Sequence, residues 1–137
     1  MATLTSKLTL TGSAEHFGAA LSLSTSNDFT FTHTNGIARK KITSTAIGTA
    51  SGQVTIDTAD EYGSPSVIYI KNTAAYASDG TGTIYCYFVG PDGTDRHEIQ
   101  IPGGMFAYIP SSSDATLKAY TATSGTIVEF MVLGTQA

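Results

Sequence analysis

The chain has 137 residues, a net charge of −4 and only 13% charged side chains, about half the usual share, so hydroxyls from Thr and Ser supply most of the polar surface. That length suits a single domain over 1–137 with one core, and the acidic balance excludes wrapping of nucleic acid, which needs a clustered basic footprint. No apolar run nears the roughly 18 residues that cross a bilayer, and Met1-Ala-Thr-Leu-Thr5 has neither a basic nor a hydrophobic leader region; the expectation is a protein made in a cytoplasm, with no membrane partner.

Along the chain, Leu4, Leu8 and Leu10 share one parity while Thr3, Thr5, Lys7 and Thr9 share the other. This period of two predicts a half-buried strand over residues 3–11, with residues 1–11 expected to act as an interacting N-terminal strand. Residues 13–17 are too short for a helix and read as a loop. Leu21 and Leu23 begin a second strand; Phe29, Phe31 and His33 put three rings on one face of a third, backed by Thr30, Thr32 and Thr34. Asn35-Gly36 tolerates positive φ and predicts a tight hairpin into residues 37–46.

Residues 48–52 read as a loop, Val54 and Ile56 as the inner positions of a short strand, and residues 60–65 as a turn. Val67-Ile68-Tyr69-Ile70 is apolar on both parities, as is the run from Ile84 to Val89, so both segments are expected in the middle of a sheet covered on its two faces. In Gly90-Pro-Asp-Gly93 the proline fixes φ at one corner and a glycine accepts positive φ at another, which predicts a hairpin into residues 96–101. Further strands are expected at 106–109, 116–120 and 126–133. Ten or so short strands without a helical pattern predict an all-β fold, two antiparallel sheets packed as a sandwich, jelly-roll-like.

Chemistry is sparse on this scaffold. Cys86 is the one cysteine and sits in the apolar run Ile84–Phe88, so it reads as a buried thiol and not as a nucleophile. His16, His33 and His97 have no second ligand at metal-site spacing. Asp57, Asp60 and Glu61 read as turn carboxylates before they read as calcium ligands, since no EF-hand spacing surrounds them. Ser111-Ser-Ser113 lacks the setting of a nucleophile elbow, and Gly80-Thr-Gly82 and Pro102-Gly-Gly104 precede no helix. No catalytic, cofactor or metal residues are expected.

Alternation sends Arg39 and Lys41 to one face of a strand and Lys40 to the other, a pattern of solvated or edge-protecting residues, with contact to an acidic protein surface as the functional alternative. Glu129 shares parity with Ile127 and Met131 in an otherwise apolar strand. It must lie at a sheet margin or be paired, with Lys71, Arg96 or Lys118 as candidate partners, because a buried unpaired carboxylate costs several kcal/mol.

The runs Val67-Ile-Tyr-Ile-Lys-Asn-Thr73, Ile101-Pro-Gly-Gly-Met-Phe-Ala-Tyr-Ile-Pro110, Leu117-Lys-Ala-Tyr-Thr121 and Ile127-Val-Glu-Phe-Met-Val-Leu133 resemble the recurring pattern of small β-sandwich virion proteins of tailed bacteriophages. The resemblance implies a non-enzymatic virion structural protein without cofactors. It implies capsid decoration (cement) first and a tail, baseplate or fibre role second. The implied partners are copies of the chain itself, as a homotrimer, and the major capsid protein or other virion proteins, with no nucleic acid. Candidate interface residues are Leu4, Leu8 and Leu10 with the ring face Phe29, Phe31 and His33, then Arg39, Lys41 and Glu129. For a receptor-facing role, Tyr76, Tyr85, Tyr87 and Tyr120 are the side chains that stack on sugar rings.

Overall fold

Thr-rich alternation becomes strand through most of the chain, because β-branched side chains fit a pleated surface and the hydroxyls face water without charge. A computed structural model describes residues 1–13, 21–48, 51–57, 62–90, 93–111 and 115–136, with backbone alone at 21, 62–65, 95–97 and 136. The reading of 13–17 as a loop, and of Asp60 and Glu61 as turn residues, falls almost wholly outside these. Contacts group into two compact units, Met1–Phe31 and Thr32–Ala137, and each is taken by itself.

The first unit is a two-stranded antiparallel ribbon of β1 (Ala2–Gly12) and β2 (Leu21–Phe31), paired residue for residue from Ala2 opposite Phe31 to Gly12 opposite Leu21. The expected second and third strands are therefore one. Residues 24–28 are polar on both parities and hide the continuity from the sequence, yet each has a ladder partner in β1 that holds it extended.

The second unit contains β3 (His33–Thr34), β4 (Ala38–Ile42), β5 (Val54–Asp57), β6 (Tyr62–Asn72), β7 (Ile84–Val89), β8 (Asp95–Ile101), β9 (Phe106–Ser111), β10 (Thr116–Thr121) and β11 (Thr126–Gln136). One sheet runs β5-β10-β7-β8; the other runs from β3 and β4, which share β11 as neighbour, through β11 and β6 to β9. The antiparallel ladders β4–β11, β5–β10, β6–β9 and β7–β8 are nested, each enclosing the next. This is the pattern of one long hairpin folded over on itself, with its innermost turn between β7 and β8. Ladders β11–β6 and β10–β7 join the folded halves into two sheets, and the result is a jelly roll. As expected of segments apolar on both parities, β6 and β7 are central.

The inward parities supply the core: Ile68 and Ile70 of β6 with Val128, Phe130 and Val132 of β11 face Ile84 and Cys86 of β7 with Leu117 and Ala119 of β10. Asn72 sits at the end of the inward row of β6, fully buried. Its amide Nδ2 donates to the carbonyls of Gly82 at 2.7 Å and Ile101 at 2.8 Å, and its Oδ1 accepts from the Ala74 N–H at 3.0 Å. A side chain of one sheet thus satisfies backbone at the end of β8 and just before β7 in the other. Close by, Pro102-Gly-Gly104 turns back so tightly that a Cβ on Gly103 would lie 2.0 Å from the Ala75 carbonyl oxygen, which only glycine permits.

Two turn expectations are corrected. Asn35-Gly36 makes no hairpin between β3 and β4; both strands pair with β11 and run along it as one interrupted edge strand. Between Thr34 and Ala38 the register slips by one residue. Gly36 takes φ +64 there, and Asn35 Oδ1 accepts the Val132 N–H at 2.8 Å. The same dipeptide that closes hairpins here builds a bulge, its amide oxygen standing in for the missing ladder carbonyl. Residues 62–65 belong to β6 and not to a turn: Pro65 is tolerated because it lies where the β11 register shifts and before the β9 ladder begins at Ser66.

Replacing Asn72 with Ala leaves two buried carbonyls and one N–H without their partner, at about 1–3 kcal/mol each. Asn72→Ala is expected to lower unfolding stability by about 3–5 kcal/mol in urea titration. A loss below about 1 kcal/mol would show that the two sheets do not depend on this side chain.

Candidate interaction surfaces

The ribbon is amphipathic by register. One face carries Leu4 opposite Phe29 and Leu10 opposite Leu23, with Ala2 opposite Phe31 and Leu8 opposite Thr25, interrupted by the uncharged polar pair Ser6 and Asn27; the other carries Thr3, Thr5, Lys7, Thr9 and Thr11 opposite Ser, Thr and Asp. Leu4, Phe29 and Phe31 are half-buried, whereas Leu8, Leu10 and Leu23 keep 46%, 44% and 47% of their surface in water. Cross-strand pairs stabilise a ribbon by about 0.2–1 kcal/mol each, and a lone two-stranded hairpin is marginal in water. This face is therefore under a physical demand for cover.

The outer face of the sheet built on β11 is different in kind. Glu129 stands between Arg39 of β4 and Lys71 of β6 in the ladder. Arg39 Nε and Nη2 both reach Glu129 Oε2 at 2.7 Å, and the Tyr69 hydroxyl donates to Oε1 at 3.5 Å. The Glu129 side chain is 12% exposed and that of Arg39 71%, so the pair is anchored on the carboxylate and open at the guanidinium. Burial, then the charge and hydrogen bond of Glu129, raise the Tyr69 phenol above its ordinary pKa. A cavity of about 320 Å³ opens beside the pair between Lys71, Thr73 and Ile127. Around it, Phe106 is 64% exposed, Ile127 43% and Tyr108 36%. Lys40, on the opposite parity, instead turns its ammonium over the Phe130 ring at 5.8 Å.

On the outer face of the other sheet, Tyr85 and Tyr120 stack with centroids 4.9 Å apart and 16° between planes, and Tyr87 meets Tyr120 edge-on at 6.0 Å. Tyr120 donates to Glu98 and Tyr87 to Gln53. Burial, then the Glu98 bond, raise the Tyr120 phenol. These rings are engaged with one another, and only Tyr76, in the loop after β6, is largely exposed. Cys86 is fully buried, and desolvation, then Glu98, push its thiol up to about 12. Among the described residues no group of three His, Cys, Asp or Glu is placed to hold a metal.

The structure thus gathers Leu4, Leu8, Leu10, Phe29 and Phe31 on the ribbon, and Arg39, Lys41 and Glu129 on the sheet. His33 leaves the ring face: it lies in β3 opposite Gly134, because the strand shared with Phe29 and Phe31 ends at Phe31. The candidate partners of Glu129 are corrected as well. Arg39 holds it, Lys71 flanks it without an ion pair among the described residues, and Lys118 belongs to the other sheet; the Arg96 side chain lies outside the described residues. Sequence reading missed Arg39 as the partner and Phe106 and Tyr108 as neighbours, since only the strand order places them beside Glu129. No family model, curated protein or solved structure matches the chain.

Two consequences are measurable. Removing Arg39 leaves Glu129 held by Tyr69 alone, so a double-mutant cycle over Arg39→Ala and Glu129→Gln is expected to give a coupling of about 1 kcal/mol; a coupling near zero would make the pair incidental. The Cys86 thiol titrates near 9 when unfolded and about 12 when folded, so above pH 9 the unfolded chain binds fewer protons than the native one. This contribution to stability is present below pH 9 and is lost as pH rises towards 12. The melting temperature is expected to fall across that window, and Cys86 to resist thiol reagents until the protein unfolds.

Proposed function

We propose that this chain is a structural component of a bacteriophage virion, a capsid decoration (cement) protein that closes into a homo-oligomer and stiffens the head shell. The observation that carries the reading is the half-exposed apolar face of the β1–β2 ribbon. Burying the rest of Leu8, Leu10 and Leu23 returns roughly 1 kcal/mol each, a gain repeated in every copy of a cyclic assembly. The jelly roll of the second unit is an architecture that virus shells use, and a polar surface made of hydroxyls adds little mutual repulsion between copies.

A tail, baseplate or fibre position is the second reading. Sugar stacking gains little support on the Tyr85–Tyr120 surface, where each ring has given one face to the other. In solution, light scattering is expected to give the mass of three chains, and Leu10→Asp with Leu23→Asp to return it to one without loss of the Thr32–Ala137 fold. Binding to expanded empty heads, lost in the same variant, supports decoration; binding to isolated tails supports the second reading. A wild-type chain that stays monomeric at micromolar concentration and binds neither would overturn both.

A further inference from the structure

We infer that the outer face of the five-stranded sheet is a docking site for an acidic protein surface, partner carboxylates meeting the Lys71 ammonium and the outward N–H groups of Arg39 while an apolar partner side chain packs on Phe106 and Ile127. This deepens the assembly reading and rests on it, and its test involves neither particles nor oligomeric state, so the two fail separately.

Three features converge on this face. It carries residue types enriched in protein interfaces, aromatic residues, Met and Arg: Met131, Tyr69 and Tyr108 form one row across the ladder, next to the row of Arg39, Glu129, Lys71 and Phe106. The cavity of about 320 Å³ beside Glu129 gives an incoming side chain somewhere to go. Arg39 is already oriented by two bonds to Glu129 Oε2, so its outward N–H groups are offered without further loss of rotamer freedom.

Charge then selects the occupant. Arg39, Lys41 and Lys71 against Glu129 leave the face at +2 on a chain of net charge −4, so the rest of the molecule carries −6. Packing this face on its own copy about a two-fold axis sets +2 against +2, and like charges across an interface are costly. Nucleic acid is disfavoured by magnitude, because three cations neutralise about three phosphates and leave binding weak and steeply salt-dependent. A carboxylate-bearing protein surface satisfies both the cations and the exposed rings.

The test uses the full chain, isotope-labelled, with a random copolymer of glutamate and tyrosine as the probe and polyglutamate, duplex DNA and phosphatidylserine vesicles as competing arms. Expected are amide shift changes centred on Arg39, Lys71, Phe106 and Ile127, and binding of the copolymer about tenfold tighter than of polyglutamate. Lys71→Glu is expected to weaken copolymer binding about tenfold. Phe106→Ser weakens it as well, and Lys118→Glu, on the other sheet, leaves it unchanged. Should Lys71→Glu fail to fold, Phe106→Ser and Tyr108→Ser carry the test, since both side chains are exposed. No binding, shifts centred on another face, equal binding of polyglutamate, or tighter binding of DNA or vesicles at these residues would overturn the inference.

Discussion

A jelly roll of 106 residues, Thr32–Ala137, is two sheets between which the chain crosses at nearly every connection from β4 to β11, so their strand ends must be held in register, and here one end is held by the Asn72 side chain. An apolar residue at that position would extend the core by one layer and leave the carbonyls of Gly82 and Ile101 buried without donors. Asparagine supplies two donors and one acceptor from a single planar group, which is what the three strand ends require. A second polar knot lies nearby, where Thr121 Oγ1 donates to the Thr83 carbonyl and lies 2.9 Å from Thr126 Oγ1. The apolar middle supplies the driving force, and these groups favour the one alignment of the sheets that satisfies them.

The alignment matters for the surface because inward and outward positions alternate. With Asn72 fixed inward, Lys71 and Thr73 are forced outward, one beside Glu129 and the other hydrogen-bonded to the Ile127 carbonyl at 2.9 Å. The outer cavity is thus a consequence of the buried amide one residue away. Glu129 follows the same logic: within the run Ile127–Leu133 of β11, whose other positions are apolar, a carboxylate is tolerated because β4 brings Arg39 directly opposite, and the phenol of Tyr69 covers the remaining oxygen.

Much of this was legible in the residues. Period-two alternation located the strands, the doubly apolar runs Val67–Ile70 and Ile84–Val89 identified the two central strands, and the lone cysteine in the second run lies in the core. Chain continuity was less legible where polarity replaced alternation, as at residues 24–28, whose extended form depends on partners in β1. Asn35-Gly36 carried a correct signal for positive φ, but a bulge and a hairpin ask the same of that dipeptide, and the difference lies in whether β11 is present to pair with both flanks. The partner of Glu129 was out of reach for the same reason: parity says which face a residue takes, and strand order says who sits beside it. Asn72 left no mark at all, since nothing in its neighbours distinguishes a buried bridging amide from a solvated one.

The two candidate surfaces divide along their physics. The ribbon face is largely apolar and uncharged, so its gain on association grows with the apolar area buried and is not weakened by charge screening. The outer face of the five-stranded sheet carries fixed cations around exposed rings, so its recognition is selective for charge and weakens as salt rises. An assembly module needs both kinds: contacts that bind copies of one chain to each other under any ionic condition, and contacts that choose a different protein and reject the wrong one. Under the proposed function, setting three cations on the sheet face that also exposes Phe106, Tyr108 and Ile127, in a chain that is acidic elsewhere, would separate those tasks. In the proposed assembly, like charge would steer self-association away from the docking face and towards the ribbon, where no charge on the apolar side opposes it.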